Sequence, residues 1–211
     1  AGCAYMVSTG TVDFDAGMSL DVAAASSFQI CAQSDYARLG RNAAPQIMDV
    51  NEDEMLDVVL SAPGSEFGGT EGAGRVYVFI NDGAFTGVAT VMDADVVLTG
   101  GDARYFGNAL HHTDLDGDGE RELLVGAPDF DRYDDSMSHS GSVYVYRTST
   151  LEGGGEIAAA AADLRIEGSG YSGFGSVVRS ADFDANGVDE LLVAAPRWNG
   201  GMGRISLFAL D

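Results

Sequence analysis

An acidic stretch with regular spacing is the feature of this sequence best able to do chemistry. From Asp114 to Glu122, five carboxylates occur within nine residues, and an apolar run follows at once. Carboxylates a few ångströms apart repel each other by about 4 kcal/mol per pair at an effective dielectric of about 20. A positive partner is therefore expected, unless the stretch is only a solvated acidic turn.

The acidic stretch occurs three times in the same register. The copies run from Asp49 to Pro63, from Asp114 to Pro128 and from Asp182 to Pro196, and their starts lie 65 and 68 residues apart. With the first acid as position one, side-chain oxygens fall at positions one, three, five and nine: Asp49, Asn51, Asp53 and Asp57; Asp114, Asp116, Asp118 and Glu122; Asp182, Asp184, Asn186 and Glu190. A repeat of this length indicates one supersecondary unit per copy.

Oxygen donors at alternating positions of a tight loop suit a hard cation that takes six to eight oxygens. Calcium fits better than magnesium, which demands a stricter octahedron and keeps its waters. We expect a backbone carbonyl at position seven to join the set, from Met55, Glu120 and Val188. An EF-hand is excluded because its glutamate would stand at position twelve, where this sequence has Leu60, Val125 and Val193.

The three loops differ at position six. Glycine is favoured there because it adopts a left-handed backbone without strain, and Gly119 and Gly187 supply it. The first loop has Glu54 instead, so we expect that loop to be strained and to hold calcium most weakly. Acidic surface turns without metal are the simpler alternative, but three copies in one register favour the metal.

Short strands surround each loop. LDVVLSA, ELLVGA and ELLVAA follow the acids, VYVF and VYVY come next, and SFQICA, DVVLTG and DLRIEG precede the following repeat. Each run is apolar, rich in β-branched or aromatic residues and too short for a helix. Only Glu156 to Leu164 has helical composition. Four short antiparallel strands per repeat predict an all-β fold built of β-propeller blades.

In combination, these motifs resemble the FG-GAP repeats of the integrin α-subunit propeller and its bacterial relatives. The matching motifs are the acidic loops and the following segments: Phe106-Gly107, Phe174-Gly175 and Gly126-Ala127-Pro128, with variants at Leu39-Gly40, Ser61-Ala62-Pro63 and Ala194-Ala195-Pro196. The resemblance covers residues 38–208. It implies calcium-bearing blades in an extracellular adhesion or recognition module, with ligands on the face away from calcium.

The repeats divide a single propeller-type domain. Repeat 1 spans residues 38–105, repeat 2 spans 106–173 and an incomplete repeat 3 spans 174–211, whereas residues 1–37 hold strands that we expect to close or bridge a blade. Propellers usually have about four to eight blades. We therefore expect the missing strand of repeat 3 to come from another chain, with closure by the N-terminal strand as the alternative.

The composition fits a molecule that works outside the cell. The formal charge is −22, from 33 acids against 11 arginines, and such a surface repels nucleic acid and anionic membranes. The acidity would equally suit a high-salt habitat. No apolar run approaches the roughly 18 residues of a membrane span. Cys3 and Cys31 would form a disulfide in that setting; a lipidated Cys3 or two free thiols are the alternatives.

The strand connections predict two faces. The acidic loops share one face, and the opposite face collects aromatic and arginine side chains typical of recognition surfaces: Tyr36, Tyr105, Arg132, Tyr133, Tyr171, Arg197 and Trp198. Packing between blades is an equal explanation for each tyrosine.

No catalytic set stands out, because His111 and His112 are adjacent and point to opposite faces of a strand. We predict a calcium-stabilised, non-catalytic adhesion or recognition module that binds a protein or glycan. A structural subunit with blades shared between chains and the accessory propeller of a hydrolase are the alternatives.

Overall fold

Short β-strands dominate the computed structural model, which describes residues 2–7, 21–33, 37–66, 69, 72–83, 85–129 and 140–210. In these residues the strands are β1 (Cys3–Met6), β2 (Phe28–Cys31), β3 (Gln46–Met48), β4 (Asp57–Ala62), β5 (Arg75–Phe79), β6 (Gly87–Thr90), β7 (Val96–Thr99), β8 (Ala109–Thr113), β9 (Glu122–Ala127), β10 (Ser142–Tyr146), β11 (Gly155–Ala158), β12 (Leu164–Glu167), β13 (Val177–Ala181), β14 (Glu190–Ala195) and β15 (Arg204–Phe208). The helical elements are α1 (Val22–Ala25), α2 (Thr148–Leu151), α3 (Trp198–Gly201) and the 3-10 turns η1 (Val91–Asp93) and η2 (Ala159–Ala161). Among the described residues, no helix is long and apolar enough to cross a membrane.

The strands form four sheets that follow one another along the chain. Blade 1 has the order β3-β4-β5-β7, blade 2 the order β8-β9-β10-β12 and blade 3 the order β13-β14-β15. All these pairs are antiparallel. A fourth sheet, here called sheet N, places β2 between β1 and β6. The predicted all-β fold and its four-stranded propeller blades are confirmed.

Apolar side chains fill the spaces between successive sheets. The second strand of blade 2, β9, has apolar residues on both of its faces because it lies between two cores. Leu123 packs in the core between blades 1 and 2, whereas the next residue, Leu124, packs in the core between blades 2 and 3. Because side chains alternate between the two faces of a strand, a strand between two cores reads as an unbroken apolar run.

The Phe-Gly motif fastens each blade to the one before it. Phe106 is fully buried and lies so close to Gly74 of blade 1 that a Cβ at Gly74 would overlap its backbone. Phe174 stands in the same relation to Gly141 of blade 2. Both glycines also have positive φ, of +81° and +77°. The motif therefore requires glycine just before the third strand of each preceding blade.

The connection between the third and fourth strands reaches back to the preceding sheet. There β6 pairs in parallel with β2, and β11 pairs in parallel with β7. Residues 156–164, which have helical composition, thus form part of β11, the turn η2 and the start of β12 instead of a helix. Pairing with β7 and burial of Ala159 in the core outweigh the high helical propensity of alanine, because so short a run forms only a marginal helix.

Sheet N is covalently closed. Cys3 and Cys31 are paired residues of β1 and β2, and a disulfide joins them. Because the Cys3 sulfur is part of this disulfide, it is not available for a bond to a lipid. The N-terminal strands β1 and β2 lie in sheet N and not in blade 3. Within the described residues, no strand pairs with β15 at the outer edge of blade 3.

Candidate metal centres

Each acidic loop joins the first strand of a blade to its second strand. The first loop lies between β3 and β4, the second between β8 and β9, and the third between β13 and β14. Since these connections occupy the same place in three successive blades, the loops lie on one face of the molecule. Their internal hydrogen bonds repeat from copy to copy, so the three stretches share one conformation.

The acid at position one organises each loop. One of its carboxylate oxygens accepts the backbone N–H of position six, at 2.9 Å in Asp49 and 3.0 Å in Asp114 and Asp182. The side-chain oxygen at position five accepts the N–H of position seven, at 2.7 to 2.8 Å. Such bonds from side chain to backbone hold the loop in a tight curl around its acidic side chains.

The acid at position nine is buried. Asp57, Glu122 and Glu190 begin the second strands, are at most 6% exposed and each accept the backbone N–H of position two at 2.7 to 2.8 Å. Loss of solvation raises the pKa of Asp57 and of Glu122, and backbone hydrogen bonds offset only part of that rise. A cation in the loop would compensate these desolvated charges.

Carboxylates from positions one, three and nine converge in two loops. In each of these two loops, three carboxylate oxygens lie within 4.8 Å of one another and could bind one metal ion. The two clusters found among the described residues are Asp114, Asp116 and Glu122, and Asp182, Asp184 and Glu190. Oxygens that bind one Ca²⁺ at 2.3 to 2.6 Å lie at most about 5 Å apart. The donor set and its spacing therefore fit calcium.

The first loop has an amide where the other two have an acid at position three. Its Asn51 side chain donates to Asp53 at 3.0 Å, which leaves the amide oxygen as the possible ligand. Asp49 and Asp57 supply the carboxylates on either side. The predicted ligand roles stay predictions in all three loops, including those at positions five and seven.

Two positions of each loop have a left-handed backbone. Position six has φ of +66° at Glu54, +96° at Gly119 and +95° at Gly187. Position four, which was not predicted from the sequence, has φ of +59° at Glu52, +76° at Gly117 and +60° at Ala185. A side chain in this conformation costs roughly 1 to 2 kcal/mol. The first loop bears this cost at both positions and the third loop at position four only. The second loop bears it at neither position, because both of its residues are glycines.

We expect Glu54→Gly to stabilise the metal-free protein by about 1 kcal/mol, because glycine removes the left-handed strain but loses more entropy on folding. Urea unfolding in chelator measures the change. Glu54→Ala is the matched control, since it removes the same charge and keeps the Cβ. Equal gains in the two variants would show that charge, and not backbone strain, limits the first loop.

Polar side chains link the inner strands of successive blades. His112 bonds to Gln46 of blade 1 at 3.1 Å, and His111 bonds through Nε2 to the Ser180 hydroxyl of blade 3 at 2.9 Å. Ser180 in turn donates to Asp189 at 2.8 Å, and Thr113 donates to the same carboxylate. Neighbouring residues of β8 thus face opposite blades, as predicted for a histidine pair on a strand.

The His111 imidazole imposes a pH dependence on the fold. Desolvation, followed by the nearby positive charge of Arg179, lowers the pKa of His111 to about 4. The unfolded chain takes up this proton near pH 6.5 but the folded chain does not. His111 therefore destabilises the fold increasingly as the pH falls from about 6.5 to 4, by about 2 to 3 kcal/mol in total.

We expect His111→Gln to remove this loss, because the glutamine amide stays neutral and can still reach Ser180. Urea unfolding of both proteins in chelator, from pH 7 to pH 4.5, measures the difference between their free energies of unfolding. All other titrating groups are common to the two proteins and cancel. Curves that stay parallel through this range would contradict a neutral His111 in the fold.

The predicted recognition residues are only partly within the described chain. Tyr36, Arg132 and Tyr133 lie outside the described residues. Tyr105 packs over residue 72, whose added Cβ would lie 3.8 Å from the ring. Tyr171 is 46% exposed. Arg197 and Trp198 lie on the connection between β14 and β15, and their recognition role stays a prediction.

The Trp198 side chain is held in place from two sides. Its ring packs against the core between blades 2 and 3, and the guanidinium of Arg204 lies 5.7 Å from the ring centroid. The backbone N–H of Arg197 donates to the carbonyl of Ser172 at 2.9 Å. That bond joins the connection of blade 3 to the loop that carries Tyr171.

The comparisons with known proteins agree with the repeated motif and the blades. Residues 106–146 match the FG-GAP repeat family. Phosphatidylinositol-glycan-specific phospholipase D of Rattus norvegicus is 33% identical over 173 residues, which are 79% of this chain and 19% of that protein. Integrin alpha-IIb of Homo sapiens is 38% identical over 106 residues, which are 48% of this chain and 10% of the integrin. Integrin alpha-PS5 of Drosophila melanogaster is 32% identical over 153 residues, which are 70% of this chain and 14% of that integrin.

This chain spans less than a fifth of the length of each of these three relatives. The similarity therefore concerns their repeat region and not the whole proteins. The chain contains a repeat of the FG-GAP family and is similar to integrin α subunits.

Proposed function

We propose that this chain is a calcium-stabilised, non-catalytic β-propeller module for adhesion or recognition outside the cell. The threefold repetition of one loop conformation, with converging oxygen donors in at least two copies, is the observation that carries the proposal. Calcium supplies charge compensation for the acids and joins the first and second strands of each blade. The three loops would then act as structural supports for the opposite face.

Three features support an extracellular setting. The disulfide between Cys3 and Cys31 is typical of oxidising compartments. Extracellular calcium modules often have Kd values of roughly 10⁻⁴ to 10⁻³ M, so such loops fill where calcium is millimolar. The net charge of −22 disfavours nucleic acid as a partner.

The recognition surface is proposed on the face away from the acidic loops. A cleft of about 370 Å³ there is lined by Ser172, Trp198 and Arg204 among others. The exposed Tyr171 directly precedes Ser172 in the sequence. An aromatic ring, a guanidinium and hydroxyl groups suit a protein or glycan ligand.

Glycan and extracellular-protein arrays in calcium test this role. For any ligand found, we expect Tyr171→Ala to weaken binding by about tenfold or more. Leu56→Ala is the matched control, because Leu56 is an exposed apolar residue of the first acidic loop on the other face. Binding that resists Tyr171→Ala but is lost in Leu56→Ala would move the recognition surface to the calcium face and refute this assignment.

The accessory propeller of a hydrolase is the second candidate, favoured by the similarity to the phospholipase D. In the described residues Ser180 lies between His111 and Asp189. A nucleophilic triad instead places the histidine between the serine and the acid, so this arrangement supports a non-catalytic chain. We expect the isolated chain not to hydrolyse phosphatidylinositol glycan; turnover that depends on its residues would overturn the non-catalytic proposal.

Self-association is proposed from the open edge of blade 3. Ile205 and Leu207 of β15 are 69% and 54% exposed, and edge strands with exposed apolar residues favour pairing with another chain. We propose that a strand of a second copy pairs with β15, which would also suit a structural subunit of an assembly. Light scattering in calcium should report a species larger than one chain, whereas a strict monomer with β15 amides protected from hydrogen exchange would exclude this pairing.

A further inference from the structure

The second acidic loop carries an ion pair with a residue distant in sequence. Arg147 Nη2 lies 2.5 Å from Asp116 Oδ2, and the two side chains are 54% and 35% exposed. Asp116 occupies position three of the loop and belongs to the cluster of three converging carboxylates. The guanidinium therefore contacts an oxygen donor of the proposed calcium site.

The backbone of blade 2 places Arg147 at this position. Arg147 follows the last residue of β10, and its N–H donates to Asp163 at 2.8 Å. Thr150 donates to the other oxygen of Asp163 at 3.0 Å. Blade 1 repeats this anchor, since the N–H of Ile80 donates to Asp95 at 2.7 Å. The support is common to both blades, but only blade 2 places a cation on it.

The charge count of the loops explains why blade 2 differs. Positions one, three, five and nine hold four carboxylates in the second loop, but three carboxylates and one asparagine in each of the other loops. The residue after the third strand is Ile80 in blade 1, Arg147 in blade 2 and Ala209 in blade 3. The arginine thus occurs in the blade whose loop has one additional acid at the four donor positions, and it pairs with an acid at one of those positions.

We propose that Arg147 is a built-in counter-ion of the second loop, which neutralises its additional carboxylate and lowers the calcium affinity of that loop. This inference rests on the proposed function, because it concerns how strongly a calcium loop binds its ion. The guanidinium stabilises the metal-free arrangement of Asp116 and repels an incoming divalent cation. Both effects must be overcome when calcium binds.

The expected size follows from Coulomb's law. A single and a double positive charge about 6 Å apart in water-like surroundings repel enough to change an affinity about tenfold, and salt screens part of that. We therefore expect Arg147→Ala to tighten calcium binding at the second loop by about three- to tenfold. The gain should shrink as sodium chloride is raised.

Amide resonances of the position-six glycines give one reporter per loop. The N–H groups of Gly119 and Gly187 bond to Asp114 and Asp182, so calcium titrations followed by two-dimensional NMR yield separate midpoints for the second and third loops. In Arg147→Ala we expect the Gly119 midpoint to fall and the Gly187 midpoint to stay. Arg147→Lys keeps the charge and should remain near the parent protein.

Arg165→Ala is the matched control, because Arg165 is an exposed arginine of the same blade that pairs with Glu167 at 2.8 Å, away from the loop. It should leave both midpoints unchanged. A Gly119 midpoint that is unchanged or raised in Arg147→Ala would overturn the counter-ion role, while calcium binding itself would stand. Glycine resonances whose chemical shifts do not change on addition of calcium in any variant would overturn both the proposed function and this inference.

Discussion

Chelation of calcium is expected to lower the thermal midpoint of unfolding by on the order of 15 to 30 °C. A ligand that binds only the folded state contributes RT ln(1 + [L]/Kd), or about 2.7 kcal/mol per site at a hundredfold excess over Kd. Three filled loops would then contribute about 8 kcal/mol in 10 mM calcium. For a domain of this size each kcal/mol changes the midpoint by roughly 2 to 4 °C.

Calorimetry in 10 mM calcium and in chelator measures this difference, with 10 mM magnesium as the control for ionic strength and divalent charge. Magnesium should protect less, because the loops offer flexible carboxylate donors instead of a strict octahedron. Equal midpoints in calcium and chelator would refute a calcium-stabilised fold.

Gly141→Ala is expected to destabilise the fold by about 3 kcal/mol or more. The new Cβ would overlap the backbone of Phe174, and a backbone neighbour cannot rotate away as a side chain can. Its φ of +77° adds a left-handed penalty of roughly 1 to 2 kcal/mol. Since Phe174 fastens blade 3 to blade 2, both effects act on the contact between two blades.

Gly153→Ala provides the matched control for Gly141→Ala. No heavy atom lies within 4 Å of a Cβ at Gly153, so this change should leave the stability near that of the parent protein. Urea unfolding of the two variants in calcium measures the contrast. Two variants of equal stability would contradict the packing of the Phe-Gly motif against its glycine.

The repeat made much of this fold predictable from the sequence. The aligned copies located the second strand of each blade and the third and fourth strands of blades 1 and 2. The unbroken apolar run of β9 agrees with its burial between two cores. The glycine preference at position six was also readable, because glycine has a known conformational advantage at positive φ. Glu54 at this position predicts a strained first loop, and its φ of +66° agrees with that prediction.

Other features depend on contacts between distant segments and could not be read from local patterns. Nothing in the local sequence of Gly155 to Ala158 indicates that it pairs in parallel with β7. The ion pair of Arg147 with Asp116 spans 31 residues. Position four was missed because only the second loop has glycine there, at Gly117, whereas Glu52 and Ala185 are not residues that favour a left-handed backbone.

Anomalous diffraction from crystals grown in 10 mM calcium would show directly whether the acidic loops bind the ion. We predict one calcium peak in each acidic loop, about 2.3 to 2.6 Å from the oxygens at positions one, three and nine, with the lowest occupancy in the loop that contains Glu54. Acidic loops without peaks at this calcium concentration would contradict it.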